Sequence, residues 1–142
     1  MLSDQDRINI VRFRIENAEA TLAESLDQIE RGYFNTAVNR MYYACYYAAS
    51  ALLVTIKIAT KTHDGVLHML SMHFIKTGLL PTEYGRMYRN LFDKRSSGDY
   101  DDFFYHTKES AEALYPDAKV FVERINVLVY EWLDEQESTI KT

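Results

Sequence analysis

The chain has 142 residues, 47% of them apolar and 26% charged, with 16 basic against 21 acidic side chains and a formal net charge of −5. A chain of this length buries roughly two thirds of the surface that its unfolded form exposes, so one core suffices, and the single Cys excludes both a disulfide framework and a cysteine-rich zinc module. Five Gly and two Pro punctuate the chain too seldom for a many-turned sandwich or barrel, which leaves an all-α class.

The first periodic segment places Ile8, Val11, Ile15, Ala18, Leu22, Leu26 and Ile29 on one helical stripe. Ser3 or Asp4 can cap its start, and Gly32 can end it because glycine tolerates the left-handed conformation that follows many helices. The next segment, YFNTAVNRMYYACYYAASALLVTIKIA, is apolar nearly all round. Its strongest face is Ala37, Met41, Ala44, Ala48, Leu52 and Ile56, and a helix so poor in charge belongs at the centre of a bundle. Thr62 reads as the cap of a third helix carrying Val66, Leu67, Leu70 and Phe74 inward and ending at Gly78. Pro81 and Thr82 open a fourth, with Tyr84, Met87 or Tyr88, Leu91 and Phe92 inward, up to an expected break at Ser96, Ser97 and Gly98. Thr107 begins the last helix, where Ala111, Leu114, Ala118, Phe121, Ile125, Leu128 and Trp132 recur at steps of three and four. Pro116 lacks a backbone donor and is expected to kink or interrupt that helix. Short connections between long helices favour antiparallel neighbours, so the expected fold is a single up-and-down bundle of four to five helices over residues 1–142, its core about 5–136.

Charge is unevenly spread. Residues 1–31 carry four basic and seven acidic side chains and residues 107–142 four and eight, whereas 32–61 carry Arg40, Lys57 and Lys61 with no acid. Segment 82–98 adds Arg86, Arg89, Lys94 and Arg95 against Glu83 and Asp93. A basic middle between acidic ends can present phosphate with a local patch, although such charges also decorate ordinary solvated helix faces. No apolar stretch has the length and flanks of a membrane span, and the start MLSDQDRINIVR lacks the apolar centre of a signal peptide. The expected location is therefore cytoplasmic, without a membrane partner.

His63, His68, His73 and His106 show no helical ligand spacing, so no metal and no cofactor is expected. Cys45, inside the most apolar segment, reads as a small core residue. Tyr42, Tyr43, Tyr46 and Tyr47 form two helical pairs beside Arg40. They suit a packed interior or a dimer seam, or else a polar cleft in which Arg40 and a Tyr hydroxyl such as that of Tyr43 meet phosphate or base. Arg95, Asp99 and Tyr100 concentrate a second set of polar groups at the end of the fourth helix.

Taken in order, RMYYA in the second helix, KTHDGV opening the third, FIKTGLLP before the fourth and RSSGDYDDF at its end resemble the prokaryotic HEPN-domain family, small helical proteins often encoded beside a minimal nucleotidyltransferase. The resemblance spans roughly 5–136 and implies a helical bundle that dimerises, with a basic cleft near the dimer axis. Active members carry an Arg followed after four to six residues by a His, and cut RNA without metal: the His takes the 2′-hydroxyl proton while the Arg stabilises charge on the phosphate. Here Arg95 is followed at that spacing by Tyr100, and a free Tyr, with a pKa near 10, is a poor base at neutral pH. The resemblance thus implies a regulatory module that binds nucleotide or RNA through Arg40, Tyr43, His63, Arg95 and Asp99. It would act with a nucleotidyltransferase partner in the manner of a toxin–antitoxin pair. Two alternatives stand beside it: a divergent metal-independent ribonuclease in which the catalytic pair is Arg95 with Tyr100 or His63, and a purely structural dimerisation domain. With a nucleotidyltransferase partner, the Tyr100 hydroxyl beside Arg95 is a candidate nucleotide acceptor.

Overall fold

A computed structural model describes residues 2–141, and among these there are helices and turns but no strand. Helix α1 spans Asp4–Glu30, α2 Phe34–Thr55, α3 His63–Leu70, α4 Glu83–Tyr100 and α5 Lys108–Lys141. A π-helical turn, Ser71–Ile75, continues α3. The expected all-α bundle of four to five helices is observed, with five.

Local chemistry explains where most helices begin and end. Ser3 starts α1 with a capping box: its hydroxyl accepts from the Asp6 amide at 3.0 Å, and the Asp6 carboxylate accepts from the Ser3 amide at 3.4 Å. Gly32 follows α1 at φ +81°, a conformation that costs a side-chain-bearing residue far more. Thr62 caps α3 by accepting from the Gly65 amide at 2.9 Å.

α2 is the central helix and packs on α1, α3, α4 and α5. Its small residues Ala37, Ala44, Ala48, Ala49 and Ala51 are fully buried, which lets neighbouring backbones approach closely. Ile8, Val11, Ile15 and Ala18 of α1 and Phe121, Ile125, Val129 and Leu133 of α5 complete the core around it. At the rim Arg12 pairs with Glu137 and the Tyr130 hydroxyl donates to Glu19, tying α1 to α5. No helix is long and apolar enough to cross a membrane among the described residues.

Four boundaries differ from the periodic reading. α2 stops at Thr55, so Ile56 lies outside it and is exposed; the chain turns there through Lys57 at φ +66°. α3 ends at Leu70 and passes into the π turn before Gly78 adopts φ +84°. α5 runs through Pro116 without interruption, because α5 is long enough for its flanking bonds and its packing to carry the one missing donor. The expected break at Ser96–Gly98 is absent, and α4 continues to Tyr100. Near the ends of the apolar stripes, Leu26 is exposed and Trp132 only half-buried.

Candidate functional site

The unbroken end of α4 places Arg95 inside the bundle. Its residue is only 8% exposed, and its guanidinium carbon lies over the rings of Tyr42 at 4.8 Å, Phe92 at 5.0 Å, Tyr43 at 5.4 Å and Tyr100 at 5.7 Å. Each ring face attracts the cation, and desolvation strengthens that attraction. The Nη1 group donates to the Tyr100 hydroxyl at 3.3 Å and lies 3.6 Å from an Asp99 carboxylate oxygen, whereas the buried Nε has no hydrogen-bond partner. A buried charge must be paired or it costs several kcal/mol. Asp99 one turn further along α4 supplies the pairing.

Asp99 is itself held from α2. The Asn39 amide donates to it at 2.8 Å, and the Asn39 carbonyl oxygen accepts two bonds from Arg40, at 3.0 and 2.7 Å. Arg40 lies 5.4 Å over the Tyr43 ring and 3.9 Å from Glu24 of α1. Glu24, Arg40, Asn39, Asp99, Arg95 and Tyr100 therefore form one connected network across α1, α2 and α4. Arg40, Tyr43, Arg95, Asp99 and Tyr100 come together at this corner. Asn39 went unnoticed in the sequence, where a lone amide beside an Arg carries no distinguishing signal.

His63 joins the same aromatic cluster from the opposite side. Its ring stacks on Phe92 with centroids 3.6 Å apart and lies parallel to Tyr88 at 5.0 Å. The Tyr42 hydroxyl bridges His63 Nδ1 at 3.2 Å and the Tyr88 hydroxyl at 3.3 Å. His63 Nε2 is buried without a hydrogen-bond partner, the Asp64 carboxylate standing 4.0 Å away. Burial lowers the His63 pKa from its ordinary 6.5, partly offset by Asp64, so the ring is neutral at neutral pH. Burial likewise pushes the Tyr42 and Tyr88 hydroxyls and the Cys45 thiol upward, keeping all three protonated.

The end of α4 is fixed by Asn35 and His106. Asn35 donates to the carbonyls of Gly98 at 3.0 Å and Phe104 at 3.3 Å and accepts from the His106 amide at 2.7 Å. His106 Nε2 lies 2.9 Å from the Lys94 carbonyl; since a carbonyl only accepts, Nε2 carries the proton and donates it, while Nδ1 lies 3.2 Å from the Ser110 hydroxyl. Gly98 serves close approach rather than a turn: a Cβ there would meet His106 Cδ2 at 3.1 Å and Asn35 Cγ at 3.3 Å. That is why the glycine that seemed to break α4 lies inside it.

Tyr100 is 75% exposed and Phe103 94%. With Ser96, Ser97, Asp101 and Asp102 they line a shallow groove of about 510 Å³. The groove thus brings together Tyr100, whose hydroxyl accepts from the Arg95 guanidinium, and the carboxylates of Asp101 and Asp102. Among the described residues no group of three or more His, Cys, Asp or Glu side chains is arranged to hold a metal ion.

The HEPN domain profile matches residues 11–128. The chain belongs to the HEPN domain family. It is 33% identical over 132 residues to the protein named "Putative toxin MJ0605" of Methanocaldococcus jannaschii, covering 93% of this chain and 98% of that one. It is 36% identical over 110 residues to "Putative toxin MJ0142" of the same organism, covering 78% of this chain and 75% of that one. A UPF0332 protein of Thermotoga maritima is 29% identical over 87% of this chain and 94% of its own length. The crystal structure of TT1696 from Thermus thermophilus superposes with a TM-score of 0.70 over 82% of this chain and 95% of that one, at 16% identity. At that identity it supports the fold alone.

Proposed function

We propose that this HEPN chain is the regulatory, nucleotide- or RNA-binding member of a toxin–antitoxin-type pair. It acts as a homodimer with a nucleotidyltransferase partner, and its working corner is Arg95, Asp99 and Tyr100. The observation that carries the reading is the exposed Tyr100 side chain, whose hydroxyl lies 3.3 Å from the guanidinium of an otherwise buried Arg. Phosphate arriving at that hydroxyl meets a forked donor already oriented by Asp99 and Asn39. Two relatives bear names that call them toxins, which supports the toxin–antitoxin setting.

In this reading Tyr100 receives a nucleotidyl group. Its oxygen bonds to the α-phosphorus of a nucleoside triphosphate, the α,β-phosphoanhydride breaks, pyrophosphate leaves and the phenolic proton passes to solvent. Arg95 neutralises charge on the phosphoryl oxygens. The half-buried rings of Tyr43, Tyr46 and Tyr47 beside Arg40 offer the seam for the second copy.

Cleavage of RNA is the weaker reading on geometry. His63 has its Nε2 buried and its Nδ1 occupied by Tyr42, so neither nitrogen faces a substrate at Arg95.

The test is co-expression with the nucleotidyltransferase from the native host, followed by mass spectrometry of the Tyr100 peptide. A nucleotidyl adduct on wild type that disappears in Tyr100→Phe is expected; an unmodified Tyr100 peptide overturns acceptor chemistry. Incubation of the pure protein with an RNA pool in EDTA distinguishes the ribonuclease. Cleavage by wild type and not by Arg95→Lys would replace the regulatory reading with it.

A further inference from the structure

Contacts on either side of His63 fix its place at the start of α3. Thr62 caps the helix, and the Tyr46 hydroxyl of α2 donates to the Lys61 carbonyl at 3.1 Å. Gly65 lets Thr60 close over the first turn: a Cβ there would collide with Thr60 Oγ1 and lie 2.7 Å from Thr62 Oγ1. The imidazole so placed is only 10% exposed, and none of the roles given to Arg95, Asp99 and Tyr100 uses it.

The hydrogen bonds at its ring have one orientation that satisfies both neighbouring hydroxyl protons. Tyr88 is buried, and among the described residues its hydroxyl bonds to Tyr42 alone. The Tyr88 hydroxyl therefore donates to Tyr42, and the Tyr42 hydroxyl donates in turn to His63 Nδ1. The imidazole proton then sits on Nε2, on the side of the Asp64 carboxylate 4.0 Å away. Protonation at Nδ1 turns that acceptor into a donor. The Tyr42 hydroxyl must then turn toward Tyr88, whose own proton is left without an acceptor inside the bundle, and an orphaned buried donor is costly.

The same two rings hold Arg95. Its guanidinium carbon lies 4.8 Å over Tyr42 and 5.0 Å over Phe92, while the His63 ring is 5.8 Å from Tyr42 and 3.6 Å from Phe92. A neutral imidazole leaves the rings to the guanidinium, whereas an imidazolium competes for them and repels it. The other charges facing His63 are Asp64 of α3, which favours the imidazolium, and Asp93 and Arg89 of α4, which favour and oppose it. Those three are exposed and screened by solvent, whereas Arg95 shares the desolvated cluster.

We propose that His63 is a positioning residue for Arg95, acting through Tyr42. As the neutral imidazole it anchors the Tyr42 hydroxyl and so keeps that ring under the guanidinium. As the imidazolium it reverses the hydroxyl chain and sets a second cation against the same rings, which loosens Arg95 and its hydrogen bond to Tyr100. His63 thus reaches the α4 terminus through a ring face rather than through a bonded path of its own. The coupling of His63 to Arg95 stands by itself, and its effect on Tyr100 rests on the acceptor reading.

The experiment follows the Arg95 Nε–H resonance of the full chain by proton–nitrogen correlation NMR between pH 7.5 and 4.5, with the signal assigned by its loss in Arg95→Lys. It should move with the same midpoint as the His63 imidazole. That movement should vanish in His63→Phe, which keeps a ring but does not titrate, and shrink in Tyr42→Phe, which keeps the ring over Arg95 but deletes the hydroxyl. With the native-host nucleotidyltransferase, adduct formation on wild type relative to His63→Phe should fall about tenfold per pH unit below that midpoint. An Arg95 resonance indifferent to the His63 titration overturns the proposal, as does one that moves equally in His63→Phe. Full movement in Tyr42→Phe overturns the route through Tyr42. A coupled resonance with the same pH profile of adduct formation in both proteins overturns the positioning role. A coupled resonance with no adduct at any pH supports the coupling and overturns the acceptor reading instead. Should the variants fail to fold, the wild-type titration decides, because Arg95 and His63 must share one midpoint.

Discussion

Arg95 and His63 share the rings of Tyr42 and Phe92, yet the two ends of this aromatic cluster have opposite chemistry. At the Arg95 end a permanent cation is drawn into the rings and balanced by Asp99, and its hydrogen bond continues to the hydroxyl of the exposed Tyr100. At the His63 end a titratable ring is stacked flat, kept neutral by burial and closed to solvent on both nitrogens. The lesson is that burial does not by itself mark a group as structural or functional. What separates the two is whether the buried group has a bonded path to the surface: Arg95 has Tyr100, and His63 has none.

That contrast can be broken most directly at Arg95. Arg95→Ala removes a guanidinium from among four rings and leaves a cavity, so it should cost about 2–4 kcal/mol in chemical denaturation. Arg95→Lys, which keeps the charge and most of the volume, should recover at least half of that loss while still losing the fork toward Asp99 and Tyr100. Equal stability of Arg95→Ala and wild type would show that the cage does not hold the corner together.

The next largest effect is expected at the clamp that keeps the open end in place. Asn35→Ala deletes the bonds to the Gly98 and Phe104 carbonyls and to the His106 amide, which should cost about 2 kcal/mol. Amide hydrogen exchange should then rise selectively over residues 96–106. A uniform rise over the whole chain would mean that the end of α4 is no separate unit.

The closed end should reveal itself through pH. The folded pKa of His63 lies below its unfolded value near 6.5, so the native state binds its proton less readily than the unfolded chain. Above that unfolded pKa His63 makes no difference. As pH falls through it toward the lowered folded value, the unfolded chain takes up the proton first and stability is lost. Thermal midpoints measured at pH 7.5 and 5.5 should therefore fall less in His63→Phe than in wild type. The same drop in both would mean that the ring titrates freely.

Tyr100→Phe should do least to the fold. The ring is 75% exposed and its one hydroxyl contact is peripheral, so stability should stay within about 0.5 kcal/mol of wild type. A larger loss would make the hydroxyl a structural partner of Arg95 rather than a group presented to a ligand.

Much of this molecule was legible in the sequence because much of it depends on local rules. The stripe Ile8, Val11, Ile15, Ala18 and Leu22 was readable as a buried helix face because the helical period is a property of the backbone. The Ser3 and Thr62 caps and the left-handed Gly32 follow from chemistry within three or four residues. The same locality explains the misreading of Ser96–Gly98. By composition those residues suit a turn, but Asn35, distant in the chain, bonds to the Gly98 carbonyl, His106 bonds to the Lys94 carbonyl, and both need Gly98 small so that they can approach.

The sequence by itself determined the class, the order of the helices, the centrality of the apolar α2 and the grouping of Arg95, Asp99 and Tyr100 at one helix end, since each follows from composition, period or a spacing of a few residues. Only the tertiary structure decided that Arg95 enters a cage of rings from α2 and α4, that Asn39, itself bonded by Arg40, holds Asp99, and that His63 is sealed. Those outcomes rest on side chains meeting across helices, where affinity depends on angstrom-scale distance and desolvation. No local period encodes either of them.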